Sequence, residues 1–355
     1  MTTRKAPPRC PDCEELDRRD FLKTVSVTAA TAAIGTGLPL YAVPRATAAP
    51  TPSCPAETAV KALYDSLTEE QRKVICFPWD HMDKERGLLR THVSNNWQIT
   101  KQTVASDFFT PRQKGLIREV FTGLFNPEWV SRFDKQLRDD SGGKPWGESQ
   151  SIALFGKPGE EKFEFVMTGR HLTIRADGNS ENHVAFGGPI FHGHAASGFN
   201  EKPGHPGNIF WHQAVLANKV FQMMDGKQRK LALVENTPDE SAVGFHGPDA
   251  SKRTGIPVSE LSSDQKEVLQ KVLQSLIEPY RKEDQEEVME CLKRQGGLDK
   301  CHLTFYKEGD LGDDEEWDNW RLEGPAFVWY FRGYPHVHIW INVADDPSVK
   351  LNARG

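Results

Sequence analysis

The apolar positions of the chain follow two patterns, one helical and one extended. Residues 67–73 and 109–114 have the pattern that begins a helix: an apolar residue, a Thr or Ser cap, then apolar positions at helical spacing. Residues 151–155 and 163–169 alternate and are rich in aromatic side chains, which predicts strands. The first half of the chain is therefore predicted to be a helical segment followed by a β meander.

The same succession returns about 150 residues later, which indicates an internal repeat. The helical segments match 224–230 and 261–266, and the strand-like segments match 302–306 and 318–324. Other landmarks that recur at this spacing are Pro127 with Pro279, the paired glycines 142–143 with 296–297, and His183 with His336.

We predict two copies of about 150 residues, over 55–205 and 206–355, joined by a linker rich in Gly and Pro at 198–208. A unit that occurs only twice does not build a solenoid. The expected fold is therefore one α+β body with a pseudo-two-fold axis, with its strands packed centrally and its helices outside.

Residues 1–48 resemble a twin-arginine export signal. Arg18 and Arg19 precede Phe-Leu-Lys, a weakly apolar stretch over 24–40 and the small-x-small sequence at 46–48. The resemblance implies passage of the folded protein through the twin-arginine translocase to the periplasm or the exterior of a bacterial cell. Such proteins often acquire a metal or cofactor before export. An amphipathic N-terminal helix is the alternative.

Composition excludes several classes of protein. Hydrophobic residues make up 37% of the 355 residues and charged residues 26%, which suits a soluble globular chain with a sizeable core. The net charge of -6 argues against binding to a phosphate backbone. No apolar run after the signal is long enough for a membrane span. We expect neither a nucleic-acid partner nor membrane insertion after cleavage.

Four cysteines follow the signal: Cys54, Cys76, Cys291 and Cys301. A disulfide between Cys291 and Cys301 would join the end of a helix to the next strand and would suit an oxidising compartment. Four cysteines allow three pairings, and the other pairings stay open. None of the four is closely paired in sequence, which argues against a zinc site with cysteine ligands.

The histidines of the β segments are the candidate metal ligands. His336 and His338 are two residues apart in a strand-like segment, so both side chains are expected on one face and can reach one ion. His171 lies in another strand-like segment, and His194 ends a glycine-rich loop. These four form the predicted ligand set for one metal ion; the alternative is a solvated pair on a strand. Copper is favoured, and zinc or iron is possible.

Glu323, in the sequence Arg-Leu-Glu-Gly-Pro over 321–325, is the candidate catalytic carboxylate. A carboxylate near a metal can ligate it, orient a histidine or act as a general base. A structural ion pair with Arg321 or Arg332 is the alternative.

Several short motifs also resemble a bacterial family described only as a domain of unknown function, DUF3500. They are Gln-Arg-Lys at 71–73, Trp97, Gly-Arg-His-Leu at 169–172, the 321–325 sequence, and His336 with His338. Family members usually have Gly-His-His-Leu at the third of these motifs. The resemblance implies no particular activity.

Three hypotheses on function follow. The first is an exported metalloenzyme acting on an unknown small molecule, with redox chemistry slightly favoured over hydrolysis. The second is a non-catalytic envelope protein that binds or handles a metal, and the third is a structural, partner-binding module without a metal. The chain lacks clusters of Met beyond the pair at 223–224, and this favours the enzyme over a copper carrier.

Overall fold

A mixed sheet of eleven strands runs through the protein in a computed structural model, which describes residues 49–160, 162–195, 208–312, 314 and 316–351. The predicted export signal, and all but the last residue of the predicted linker, lie outside the described residues. Residues Ala48–Gly355 form one compact unit. In the described part of the chain, no helix has the length and apolar character needed to cross a membrane.

In each half of the chain four helices precede a meander of four strands, as the apolar pattern predicts, and two-residue strands lie between the second and third helices. The helices are α1 (Pro55–Ser66), α2 (Glu69–Ile75), α3 (Pro111–Gly123), α4 (Pro127–Asp140), α5 (Trp211–Gln222), α6 (Gly226–Ala232), α7 (Ser263–Ile277) and α8 (Lys282–Arg294). The strands are β1 (Cys76–Phe77), β2 (Met82–Asp83), β3 (Gly87–Leu88), β4 (Ser151–Gly156), β5 (Phe163–Gly169), β6 (Leu172–Ala176), β7 (Ile190–His194), β8 (Leu233–Val234), β9 (Ile256–Pro257), β10 (His302–Tyr306), β11 (Asn319–Gly324), β12 (Phe327–Arg332) and β13 (Val337–Val343).

The strand order of the main sheet reads alike from its two edges. It is β1-β4-β5-β6-β7-β13-β12-β11-β10-β8, with β9 paired to β10. At each edge a two-residue strand runs parallel to its neighbour, β1 beside β4 and β8 beside β10. The strands between them are antiparallel, and β7 pairs with β13 at the centre. The α+β class predicted from the sequence is confirmed.

The two faces of the sheet have different coverings. Alternate strand residues such as Leu154, Phe165 and Ile339 join the helices in one large apolar core. Their neighbours point the other way, into smaller clusters with loop residues; Phe155 is in one cluster and Trp340 in another. The helices therefore cover one face of the sheet, and loops cover the other.

Four helices begin with the same hydrogen-bonded cap. In α2, α3, α6 and α7 the cap side chain accepts from the backbone three residues on, where a glutamine side chain accepts from the cap backbone in return. The four glutamines also pair: Gln71 with Gln113, and Gln228 with Gln265, at 2.8–3.0 Å. The helix starts predicted from the sequence are confirmed.

Two of the proposed landmarks do not correspond in the structure. Pro127 is the first residue of α4, whereas Pro279 precedes the first residue of α8 by three positions. His183 lies at the surface beside Arg294 and Asp345, 52% exposed, whereas His336 is buried. The internal duplication as a whole stays a prediction.

The four described cysteines are free thiols, so the disulfide considered between Cys291 and Cys301 is not formed. Both side chains are buried in the core between the helices and the sheet. Burial raises the pKa of the Cys301 thiol to about 12, which keeps it protonated.

The paired glutamines allow a direct stability test. Gln113→Ala removes hydrogen bonds that this buried side chain makes to Gln71, to the carbonyl of Ser66 and to the backbone N–H of Thr110. We expect a loss of about 2 kcal/mol in the free energy of unfolding, measured by urea denaturation. Gln265→Ala is expected to cost a similar amount, and the exposed Gln274→Ala in α7 is the control. A loss no larger than that of the control would contradict the prediction.

Candidate metal centre

His171 occupies a two-residue turn between β5 and β6, where the sequence pattern predicted a strand. Its backbone is left-handed, with φ of 53°, a conformation uncommon for a residue with a side chain. Two hydrogen bonds hold it there: its N–H donates to the carbonyl of Asn95 at 2.8 Å, and its carbonyl accepts from Gly193 at 3.2 Å. The turn directs the imidazole toward β13.

His336 and His338 meet this imidazole from the other half of the chain. His338 lies in β13, and His336 comes immediately before that strand. The Nε2 atoms of both are 3.2 Å from Nε2 of His171. All three side chains are buried, with 4–7% of each residue exposed. Three Nε2 atoms therefore converge on one point.

The distances between these Nε2 atoms match the distances between nitrogen ligands of one metal ion. Nitrogen atoms bound to a tetrahedral ion at about 2.0–2.1 Å lie roughly 3.3 Å from each other. Three buried imidazoles whose Nε2 atoms approach so closely cannot all be protonated on those atoms. The group can hold a metal ion through three neutral nitrogen ligands.

A carboxylate contacts the Nδ1 side of the His171 ring. Oδ2 of Asp140 lies 3.0 Å from Nδ1 of His171, on the opposite side of the ring from the converging Nε2 atoms. The carboxylate is held in place by the side chain of Gln136 at 2.9 Å and the backbone N–H of Ala195 at 2.7 Å. Burial opposes the charged form, but these hydrogen bonds and the contact with His171 hold the pKa of Asp140 below its usual value.

A second carboxylate contacts the Nδ1 side of the His338 ring. Oε2 of Glu240 is 2.6 Å from Nδ1 of His338, and Oε1 accepts from the side chain of Asn95 at 3.0 Å. Burial lowers the pKa of His338 to about 4 despite this hydrogen bond, so the ring is neutral at neutral pH. A carboxylate at Nδ1 fixes the tautomer that leaves Nε2 free to ligate, which is the usual arrangement around a bound metal.

Gly193 in β7 allows the two halves of the site to approach. A Cβ at this position would lie 2.5 Å from the carbonyl oxygen of Val337, and 3.1 and 3.3 Å from ring carbons of His338 and His171. Only glycine fits between the turn and β13 without displacing them. The close backbone approach therefore occurs at a glycine of the glycine-rich segment that precedes His194.

Comparison with known families finds one match. The family model described as "Protein of unknown function (DUF3500)" matches residues 51–340, a span that includes all three converging histidines. The chain belongs to the DUF3500 family. No curated protein and no solved structure matches it.

The fourth histidine of the predicted ligand set lies elsewhere in this DUF3500 protein. His194 is in β7, not in a loop, and it is fully buried. Side chains alternate along a strand, so His192 and His194 point away from the face on which Gly193 meets the site. The described three-histidine group does not include His194. His192 packs on the helical side, where Nδ1 is 3.1 Å from the hydroxyl of Tyr280 and burial lowers its pKa to about 3.

Glu323, the candidate catalytic carboxylate, bonds to residues outside the histidine group. Oε1 is 2.7 Å from Nδ1 of His246, and Oε2 is 3.3 Å from Nε of Arg321. Glu323 lies in β11, two strands from β13, and the strand register places it level with Asn342 rather than with His338. The ion pair with Arg321, given above as the alternative, is present.

Asp140 and Glu240 were missed by the sequence analysis. Asp140 is the last residue of α4, and Glu240 lies in the loop between β8 and β9. Neither belongs to a motif, and each meets its histidine only through the tertiary fold. A carboxylate at a helix end or in a loop is common on protein surfaces, so the sequence contains no signal that could have selected these two.

The role of Glu240 can be measured directly. Glu240→Gln keeps the size of the side chain but removes the charge at Nδ1 of His338. We expect zinc affinity to fall 10–100-fold, as measured by competition with a chromogenic chelator. Glu235→Gln, which removes an exposed partner of Lys307, is the matched control and should leave affinity unchanged. Equal affinities for both variants would contradict the prediction.

Proposed function

We propose that this protein is an exported metalloenzyme in which His171, His336 and His338 hold one metal ion. The observation that carries the proposal is the convergence of their three Nε2 atoms, 3.2 Å from His171 to each of the others, in a buried position. The two carboxylates behind His171 and His338 add to it, because they orient the rings for ligation.

Two features favour an enzyme over a carrier. Three protein ligands leave an open coordination position for water, dioxygen or substrate. The rings are buried and anchored, which suits an ion that stays bound rather than one that is exchanged. Copper is our first candidate and zinc the second, with iron possible, because neutral imidazoles suit all three. Copper or iron would supply redox chemistry and zinc would supply hydrolysis, on a small-molecule substrate.

Export by the twin-arginine translocase is part of the same proposal. It rests on the paired arginines and the small-x-small sequence of residues 1–48. A route that moves folded proteins would let the buried site be filled before export. We therefore place the working protein in the periplasm or outside a bacterial cell.

We also infer that the chain is an internal duplication with a pseudo-two-fold axis between β7 and β13. The strand order that reads alike from both edges supports this. So do the four matching helix caps with their two glutamine pairs. Near the inferred axis the turns before α4 and α8 pair with each other, through a bridge between Phe125 and Tyr280.

Metal content tests the proposal. Protein exported by its own signal is expected to contain about one copper or zinc per chain by mass spectrometry. The double variant His336→Ala/His338→Ala should contain none, and His183→Ala, at an exposed histidine, should match the wild type. Absence of stoichiometric metal from the wild type would refute the enzyme proposal and leave a partner-binding module. Retention of the metal by the double variant would refute the assignment of the site.

A further inference from the structure

Arg332 lies next to the proposed metal site in strand register, and neither the fold nor that site accounts for its charge. It is the last residue of β12 and pairs directly with His338 of β13. Paired residues on neighbouring strands point to the same face, with Cβ atoms about 5 Å apart. The pair two positions away, Tyr330 and Trp340, belongs to the cluster on the loop-covered face. Arg332 and His338 therefore share that face.

The guanidinium of Arg332 makes no hydrogen bond or ion pair with another side chain in the described part of the chain. The residue is half-buried, and its Nε atom is buried without a hydrogen-bond partner there. Among the described residues, no carboxylate lies within ion-pair distance of it. The guanidinium carbon lies 5.9 Å from the centre of the Tyr330 ring, which supports the side chain without taking up its donors.

Two carboxylates that interact electrostatically with Arg332 form their hydrogen bonds with other residues. Asp239 and Glu240 both interact electrostatically with Arg332. The two oxygens of Glu240 are occupied within the metal site, as described above. Oδ1 of Asp239 accepts from the backbone and the hydroxyl of Ser241, at 2.9 and 2.7 Å. In the described part of the chain, no hydrogen bond occupies the N–H donors of the guanidinium.

The charges of the site point to the kind of ligand. A divalent ion would be balanced by Asp140 and Glu240, each of which carries one negative charge. Arg332, half-buried and paired in register with His338, then adds one positive charge; the nearby carboxylate of Asp239 is exposed, so solvent and salt screen its effect on that charge. An anion would neutralise it, and a planar guanidinium binds a carboxylate through two parallel hydrogen bonds.

We propose that Arg332 is the substrate anchor and that the substrate is a small molecule with a carboxylate group. The carboxylate binds the guanidinium, and a donor atom on the neighbouring carbon reaches the open metal position. The inference rests on the proposed metal site and adds the substrate class to it. Arg332 takes part in binding and positioning only, and the proposal assigns it no proton transfer.

Glycolate is a suitable probe, because it is a carboxylate with a hydroxyl on the neighbouring carbon; its neutral analogue is glycolamide. Cobalt(II) is loaded in place of the native ion, and its visible spectrum reports ligand binding. For Arg332→Gln we expect the dissociation constant of glycolate to rise about tenfold or more. That of glycolamide should not change. Arg332→Lys should bind glycolate with an intermediate affinity.

Arg138→Gln, at an exposed position in the helix that ends at Asp140, is the matched control and should bind glycolate like the wild type. Equal glycolate affinity in the wild type and in Arg332→Gln, with cobalt bound in both, would overturn the anchor and leave the metal site standing. A parallel loss of glycolate and glycolamide binding would overturn it too, because that would indicate a distorted site. Failure of the wild type to bind cobalt would overturn the metal site itself.

Discussion

Removal of the proposed metal ion is expected to lower the free energy of unfolding by about 4 kcal/mol, compared with protein in which the free ion is kept roughly a thousandfold above its dissociation constant. The reason is that the proposed site exists in the folded chain only: His171 comes from the turn after β5, and His336 and His338 come from the other half of the sequence. Unfolding separates the three ligands. A chelator should therefore lower the melting temperature by about 5–10 °C, measured by circular dichroism.

The double variant His336→Ala/His338→Ala supplies the control for this experiment. It has no set of three ligands, so its melting temperature should be the same with and without the chelator. A chelator shift of equal size in both proteins would mean that the ion responsible is bound elsewhere. An unchanged melting temperature in the wild type would mean that no ion stabilises the fold.

Arg281→Met is expected to cost about 3–5 kcal/mol of folding free energy. Arg281 binds both oxygens of Glu57 at 2.7 Å and one oxygen of Asp284 at 3.0 Å, and all three residues are buried. Removal of the cation leaves buried carboxylates without a compensating charge. Urea denaturation measures the loss, and Lys282→Met, at the exposed neighbouring residue, should stay within about 0.5 kcal/mol of the wild type. A loss below about 1 kcal/mol for Arg281→Met would contradict the prediction.

The cost of Arg281→Met should also depend on pH. Burial raises the pKa of Asp284 to about 7, and burial raises that of the nearby Asp177 to about 6. Both values lie above those of the unfolded chain, so the folded state holds more protons and its stability falls as pH rises from about 4 to about 7. Without Arg281, the charged forms of these two carboxylates are less stable in the folded protein. The difference between variant and wild type should therefore be smallest near pH 4 and grow toward pH 8.

Local signals in the sequence predicted much of the fold. Alternation over 163–169 and 318–324 foretold β5 and β11, and the apolar residue, cap and helical spacing foretold the starts of α2 and α3. These features depend on a few neighbouring residues, which is why the sequence reveals them. The covering of one sheet face by loops has no such local signal, because it depends on which elements meet in three dimensions.

The candidate site was predictable only in part. His336 and His338 could be paired because two positions along an extended segment share a face. The same rule explains why His194 differs: its segment is a strand, and the residue that faces the site is Gly193. Asp140 could not be found in this way, because only tertiary packing brings the end of α4 to the His171 turn.

The symmetric order of the sheet has a consequence for descent. A chain of half this length, with β7 at its edge, would pair with a second copy of itself and form a homodimer with one continuous sheet. Such a dimer would contain two equivalent copies of the His171 turn, one in each subunit. In the present chain the hairpin β11–β12 corresponds to the His171 hairpin by register, and its matching residue, Ala326, packs against Val184 and Ala344 in an apolar cluster. Fusion of two such genes would have allowed the two turns to diverge. One turn would have kept its histidine for the proposed metal site, and the other would have become part of an apolar cluster.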